Sequence, residues 1–317
     1  MNLIIIGCGV SGLSCGIRLL EAGYGVRIWA RDLPPHTTSN VAAAVWYPYK
    51  AYPEELVGRW AATAYAEFVW LAQSPEAGVT MRDCIEIFPA LVPDPWWRDI
   101  LPGFRRAPTA ELPQGYQDGY LFEAPVIEMP IYLGYLMRRF EMLGGRIEVR
   151  ALASPLDALA ECDVVVNCAG LGARELVDDG SLFAIRGQVV RVAQVGLENC
   201  LLDDHGPRGL TYIVPRSRDI ILGGTADEFD ENLTPDMDTA QAIVERCTAL
   251  EPRLRDAAIL EHRVGLRPGR PAVRLEAERP APGKLLAHNY GHGGAGVTLS
   301  WGCADEIAQI LRAGTTE

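Results

Sequence analysis

Apolar positions along this chain change their period in an order that predicts a nucleotide fold. Asn2-Leu3-Ile4-Ile5-Ile6 is a short apolar run suited to a strand buried on both faces. Gly7-Cys8-Gly9-Val10-Ser11-Gly12 follows at once. Leu13, Ile17, Leu19, Leu20 and Ala22 then trace one face of a helix that Gly23 closes, and Val26-Arg27-Ile28-Trp29 returns to strand character. Further on, residues 56–73 and 131–143 read as amphipathic helices, the second closed by Gly144-Gly145. Arg146-Ile147-Glu148-Val149 and Asp163-Val164-Val165-Val166-Asn167-Cys168 read as strands, the latter running into a small-residue turn, Ala169-Gly170-Leu171-Gly172. Residues 186–225 are rich in short strands: 188–192, 210–215 and 220–224. Residues 236–250 and 299–311 are predicted helices.

The order strand, G-x-G-x-x-G, helix, strand presents backbone N–H groups and a helix N-terminus to a pyrophosphate. An acidic residue at the end of the second strand ordinarily takes the ribose hydroxyls. Here that place holds Ala30-Arg31-Asp32. Asp32 suits a ribose, whereas Arg31 suits a 2′-phosphate, so the motif alone leaves FAD, NAD and NADP open. A second glycine-rich segment, Asn289-Tyr290-Gly291-His292-Gly293-Gly294-Ala295-Gly296, would let backbone approach a large flat group. The expected fold class is α/β. A Rossmann-type dinucleotide domain (1–45, 140–185 and 264–317) is interleaved with an α+β substrate domain on a mostly antiparallel sheet (46–139 and 186–263). This places the site at their seam.

Composition narrows the partners. With 49% hydrophobic and 22% charged residues the chain reads as an ordinary globular enzyme, and a net charge of −12 argues against nucleic acid. No apolar run approaches the ~20 residues that span a bilayer. The first strand meets the glycine motif directly, so no signal or transit peptide is expected, and Ala313-Gly314-Thr315-Thr316-Glu317 carries no peroxisomal tripeptide. A cytoplasmic setting is expected. The eight cysteines form no C-x-x-C pair and the five histidines show no metal spacing, so reduced thiols and no metal are expected, one disulfide remaining open.

The chain resembles the D-amino-acid oxidase family, within the glutathione-reductase-like FAD oxidoreductases, over nearly its full length. The resemblance rests on Gly7–Ser14, Thr37-Thr38-Ser39-Asn40-Val41-Ala42-Ala43, Trp46-Tyr47-Pro48-Tyr49, Val166-Asn167-Cys168-Ala169-Gly170, Arg186-Gly187-Gln188 and Thr211-Tyr212-Ile213-Val214-Pro215. It closes with Gly265-Leu266-Arg267-Pro268-Gly269-Arg270-Pro271 and His288–Gly294. It implies non-covalent FAD and oxidative deamination of D-amino acids. Hydride would pass from Cα to flavin, O2 would be reduced to H2O2, and the imino acid would hydrolyse to a 2-oxo acid and ammonia. A homodimer is expected. D-aspartate oxidase and glycine oxidase-like activity are the alternatives within the class, an NAD(P)-dependent dehydrogenase and a non-catalytic flavin-binding protein those outside it.

For site residues the resemblance makes Arg267 the anchor of the substrate carboxylate, which a planar guanidinium fork matches. It gives Tyr212 a second hydrogen bond to that carboxylate, the Gly294 carbonyl the amine, and Tyr49 a place in the pocket. Val45, Tyr47 and Val214 would line the side-chain pocket, which argues for apolar substrates. Vertebrate members carry a second tyrosine where this chain has Arg208, and the loop 203–207 looks short, so a long lid is not expected. Arg208 and Arg216 either favour an acidic side chain or are solvated surface charges. Cofactor contacts are expected from Gly7, Gly9, Val10, Ser11, Gly12, Ala30, Arg31, Asp32, Thr38, Ser39, Ala43, Ala44, Ala151, Cys168, Ala169 and Gly170. The second glycine segment would add Gly293, Gly294, Ala295, Gly296, Val297 and Thr298, with a hydroxyl contact from Thr298 at the flavin ring. His292 is read as structural rather than as a base.

Overall fold

In the computed structural model, residues 1–314 are described; Thr315, Thr316 and Glu317, the end of the tail read for a targeting tripeptide, lie outside the described residues. Two sheets organise the chain. The first has six strands in the order Arg274–Glu278, Leu285–Tyr290, Val164–Asn167, Asn2–Ile6, Gly25–Ala30, Arg146–Val149. All neighbours are parallel except the antiparallel pair Arg274–Glu278 with Leu285–Tyr290. Helix Val10–Glu21 packs against helices Met129–Met142 and Gly296–Gly314. The buried indole of Trp301 donates to the hydroxyl of Tyr132 at 2.8 Å, satisfying a polar atom in this helical layer. Helix Glu54–Leu71 lies on the same Gly296–Gly314 helix, and a Cβ at Gly302 would sit 2.2 Å from the Trp60 carbonyl oxygen, so glycine is what lets the two backbones approach.

The second sheet has nine strands and is antiparallel but for one pair, Val79–Phe88 with Cys200–Asp203. Its order is Asp227–Glu228, Phe183–Ala193, Asp219–Gly223, Thr211–Pro215, Cys200–Asp203, Val79–Phe88, Asp118–Ile127, Arg105–Arg106, with Ile259–Gly269 also pairing Phe183–Ala193. Period-2 alternation gives this sheet two distinct faces. Ile213, Leu222, Val190 and Val192 point to one, where Ala240, Ile243 and Cys247 of helix Met237–Leu250 cover them. The other face carries the candidate site.

Two expectations change. Residues from 264 onward are placed by sequence with the first sheet, but Ile259–Gly269 pairs along its length with Phe183–Ala193, and the chain re-enters the first sheet at Arg274. The tryptophan- and proline-rich stretch after Trp46 gives no clear strand signal, yet it holds Val79–Phe88 and Asp118–Ile127. Arg82, Asp83 and the fully buried Glu86 interrupt the apolar pattern that would have revealed the first of these. Among the described residues no helix is long and apolar enough to cross a membrane, and no His/Cys/Asp/Glu group has the arrangement of a metal site.

Candidate active site

The N-terminal cradle is built by backbone. Gly7 has φ +109°, and a Cβ there would lie 2.5 Å from the Cys168 carbonyl oxygen. A Cβ on Gly12 would lie 2.0 Å from the Gly7 carbonyl oxygen, so the first helical turn sits directly on the strand end. Gly9 caps helix Val10–Glu21 without a side chain to turn back onto it, and the first turn carries no acidic residue. The Val10 N–H donates to Ser39 Oγ at 3.1 Å, which ties the segment Thr38–Val41 to the helix start. With no cap from Gly9, no acidic residue in the first turn and only the Val10 N–H taken by Ser39, this N-terminus suits a pyrophosphate. The residues present therefore fit a dinucleotide.

Around it, Ala30 ends its strand, while Arg31 Nε and Asp32 Oδ2 form an exposed ion pair at 2.7 Å, each neutralising the other. The Arg150 N–H donates to the Ala30 carbonyl, which sets Ala151 beside the end of that strand. Cys168 is a buried free thiol beside Cys15 and Cys303, the Ala169 N–H is taken by Asn167 Oδ1 at 3.1 Å, and Gly170 has φ +58°. Ala43 is half-buried, and Ala44, at φ +59°, accepts from the Ile127 N–H.

The second glycine segment docks on two others. The Gly293 N–H donates to the Pro268 carbonyl at 2.9 Å and the Gly294 N–H to that of Tyr49 at 3.2 Å. A Cβ on Gly294 would lie 2.5 Å from Cδ1 of the Tyr49 ring. Arg267, one residue before Pro268, is thereby held near Gly294 and Tyr49. Ala295 leads into the C-terminal helix beside them, which Gly296 and Val297 begin. The Thr298 hydroxyl donates to the Tyr47 carbonyl at 3.0 Å and accepts the Tyr47 N–H at 3.1 Å, so it pins the Trp46–Tyr49 segment.

Strand register places the polar groups. Tyr212 lies opposite Gly223, Gly223 opposite Val189, and Arg267 opposite Ile185, so Tyr212 and Arg267 rise from the same face. Two glycines clear their path. A Cβ on Gly223 would lie 1.9 Å from Tyr212 Cζ, and one on Gly187 2.3 Å from Arg267 Nη1. Arg267 Nη1 donates to the Thr225 carbonyl at 3.0 Å, and its guanidinium lies close enough to the Tyr212 hydroxyl for its charge to act on it. Burial pushes the Tyr49 phenol up to about 12, and the Arg267 charge opposes it.

The remaining positions differ from a plain apolar pocket. Tyr47 is half-buried and donates its hydroxyl to Glu86 Oε1 at 2.8 Å. Val45 bridges to Val126 and Val214 packs in the core. Arg208 is exposed and turns toward Tyr116, whose hydroxyl donates to Asp203. Arg216 is not a solvated charge: it is 4% exposed and bound through Nε to Asp219 Oδ1 at 2.6 Å. His292 is buried, its Nε2–H donates to Asn289 Oδ1 at 2.8 Å, and desolvation lowers its pKa to about 4. Sequence reasoning missed Glu86 and Asp204. Burial raises the first to about 8 and the second to about 6, and both lie beside Tyr47. Asp204 also lies near Tyr49, Tyr212 and Arg267. A charged residue inside a strand pattern was the one available signal for Glu86; Asp204 offered none.

Residues 2–310 match the family model described as FAD dependent oxidoreductase. The chain is 55% identical over 311 residues to a D-amino-acid oxidase of Rubrobacter xylanophilus, covering 98% of this chain and 95% of the relative. It is 36% identical to a human D-aspartate oxidase over 98% of this chain and 94% of the relative. Among solved structures, glycine oxidase from Geobacillus kaustophilus superposes with a TM-score of 0.81 at 18% identity, over 98% of this chain and 94% of that one.

Proposed function

We propose, since the chain belongs to the FAD-dependent oxidoreductase family, that it is a D-amino-acid oxidase working on the sheet face that carries Arg267 and Tyr212. The observation that carries the reading is the convergence of Arg267, Tyr212, Tyr49 and the Gly293-Gly294 backbone, drawn from three distant parts of the chain. Arg267 binds the α-carboxylate, and Tyr212 adds a neutral donor beside it. A half-buried guanidinium gains more from a carboxylate than one in solvent, because less of its charge is screened. The Gly294 carbonyl accepts from the α-amine. With those two substituents fixed and the Cα hydrogen required to face the flavin, exchanging enantiomers swaps the hydrogen with the side chain, so a single hand reacts.

Bound FAD would supply the acceptor for the Cα hydrogen and its electron pair, with O2 as the final oxidant; together with the proton shed by the substrate amine these would leave as H2O2, and the imino acid would hydrolyse in water to a 2-oxo acid and ammonia. Gly7, Gly9, Val10, Ser11 and Gly12 would hold its pyrophosphate, and the backbone of Ala295–Thr298 would lie at its ring. No side chain needs to act as base on this reading; His292, neutral and bonded to Asn289, supports that. The same reading includes non-covalent FAD, a homodimer and a cytoplasmic setting. Every cysteine is free and nearly all are buried, which suits a reducing compartment. The test is H2O2 release from the yellow holoenzyme with D-alanine and with L-alanine. Release with the D form alone is expected, and equal rates with both would end the three-point reading.

A further inference from the structure

On the oxidase reading, Arg267 and Gly294 take the two ends of the amino-acid backbone, and Val45, Tyr47 and Val214 are left as the wall of the side-chain pocket. Behind that wall Tyr47 meets carboxyl groups. Glu86 pairs with Leu202 and Leu202 with Tyr212, so the three stand in one row on one face, with Glu86 and Tyr212 two strand spacings, about 10 Å, apart. Asp204 follows Leu202 by two residues and turns to the same side, close enough to Arg267, Tyr47, Tyr49 and Tyr212 for their charges to interact.

The carboxylates lack a dedicated cation. Glu86 is 1% exposed; its Oε1 accepts from Tyr47, and its Oε2 has no partner. A buried carboxyl oxygen without a partner is costly, and a cationic donor placed beside it would favour the charged form that burial disfavours in Glu86. Of the cations near Asp204, Lys50 is bound to Glu228 at 2.8 Å, and Arg267 is the substrate's anchor. His205 is exposed, with its ring stacked on Phe88. Arg208 turns to Tyr116.

We propose that Asp204, backed by Glu86, makes the side-chain end of this site selective for D-amino acids with a cationic side chain, D-lysine and D-arginine, over D-aspartate and D-glutamate. This rests on the D-amino-acid oxidase reading. A lysine or arginine side chain reaches past Tyr47 while its charge remains paired in a desolvated site. An acidic side chain meets like charge there, and such repulsion is what separates similar ligands.

The experiment compares D-lysine with D-norleucine, which has the same four-carbon chain without the ammonium, and D-glutamate with D-glutamine, all on the FAD-loaded enzyme at pH 8. The wild type is expected to show a higher kcat/KM for D-lysine than for D-norleucine and a lower one for D-glutamate than for D-glutamine. Asp204→Asn is expected to reduce the D-lysine to D-norleucine ratio about tenfold and to raise the D-glutamate to D-glutamine ratio. Because the readout is a ratio, a general loss of activity in the variant cancels. Glu86→Gln, which keeps an acceptor for Tyr47, serves as the second variant and is expected to move both ratios the same way. A wild type that prefers D-norleucine, or ratios unmoved by either substitution, overturns the proposal. Absence of wild-type activity on D-alanine, by contrast, indicts the oxidase reading beneath it.

Discussion

Gly187→Ala tests the carboxylate anchor without touching it. The new Cβ would lie 2.3 Å from Arg267 Nη1 and 2.6 Å from both Cζ and Nη2. An ordinary contact between such atoms is roughly 3.5 Å, so the guanidinium must retreat by about 1 Å. The atoms in the way are the far end of a flexible side chain, and Gly187 is not in a left-handed conformation, so the strand accepts alanine and the fold holds. The retreat breaks the 3.0 Å bond from Nη1 to the Thr225 carbonyl and moves the fork off the substrate carboxylate. A misplacement of about 1 Å costs up to about 10²-fold in rate, or ~2.7 kcal/mol. The assay is kcat/KM for D-alanine by peroxide release, with absorbance near ~450 nm reporting FAD content. Full FAD content with kcat/KM reduced thirtyfold or more, roughly 2 kcal/mol, is the expected result. Kinetics within threefold of wild type at full occupancy would show that Arg267 is not the anchor.

Three further outcomes are expected. Gly12→Ala sets a Cβ 2.0 Å from the Gly7 carbonyl oxygen, which is backbone and cannot move aside, so the purified protein should lose most of its yellow colour; full FAD content would remove the phosphate-cradle assignment. Tyr212→Phe deletes one hydrogen bond to a charged group and should cost about 1.5–3 kcal/mol in kcat/KM with FAD retained, whereas an unchanged value would place the phenol outside the site. His292, held neutral with its pKa lowered from 6.5 to about 4, ties stability to pH: the unfolded chain takes up its proton first, so stability present above pH 6.5 falls as pH drops toward 4, by about 3 kcal/mol. Chemical denaturation of wild type and His292→Asn across that window should show a shallower slope in the variant, and flavin reduction by D-alanine in the variant should stay within tenfold of wild type, since loss of a general base costs ~10²–10⁴-fold.

Local pattern alone determined the first strand, the glycine turn and the helix after it, because strand and helix periods and the steric demands at Gly7 and Gly12 are written within a few neighbouring residues. The role expected of Arg267 came instead from the resemblance carried by Gly265–Pro271, a short and distinctive segment. The polarity of the pocket was not legible. Glu86 and Asp204 share the face of Tyr212 only because Val79–Phe88, Cys200–Asp203 and Thr211–Pro215 pair in one particular register. A one-residue slip in that pairing would send Glu86 to the opposite face. Likewise, the Thr298 hydroxyl meets the backbone of Tyr47 only on folding, and Arg216 looked solvated until Asp219 came round the hairpin to meet it. Sequence specifies what each segment can become; which side chains share a face, and which polar groups find partners, is decided by strands that are far apart in the chain and adjacent only in the sheet.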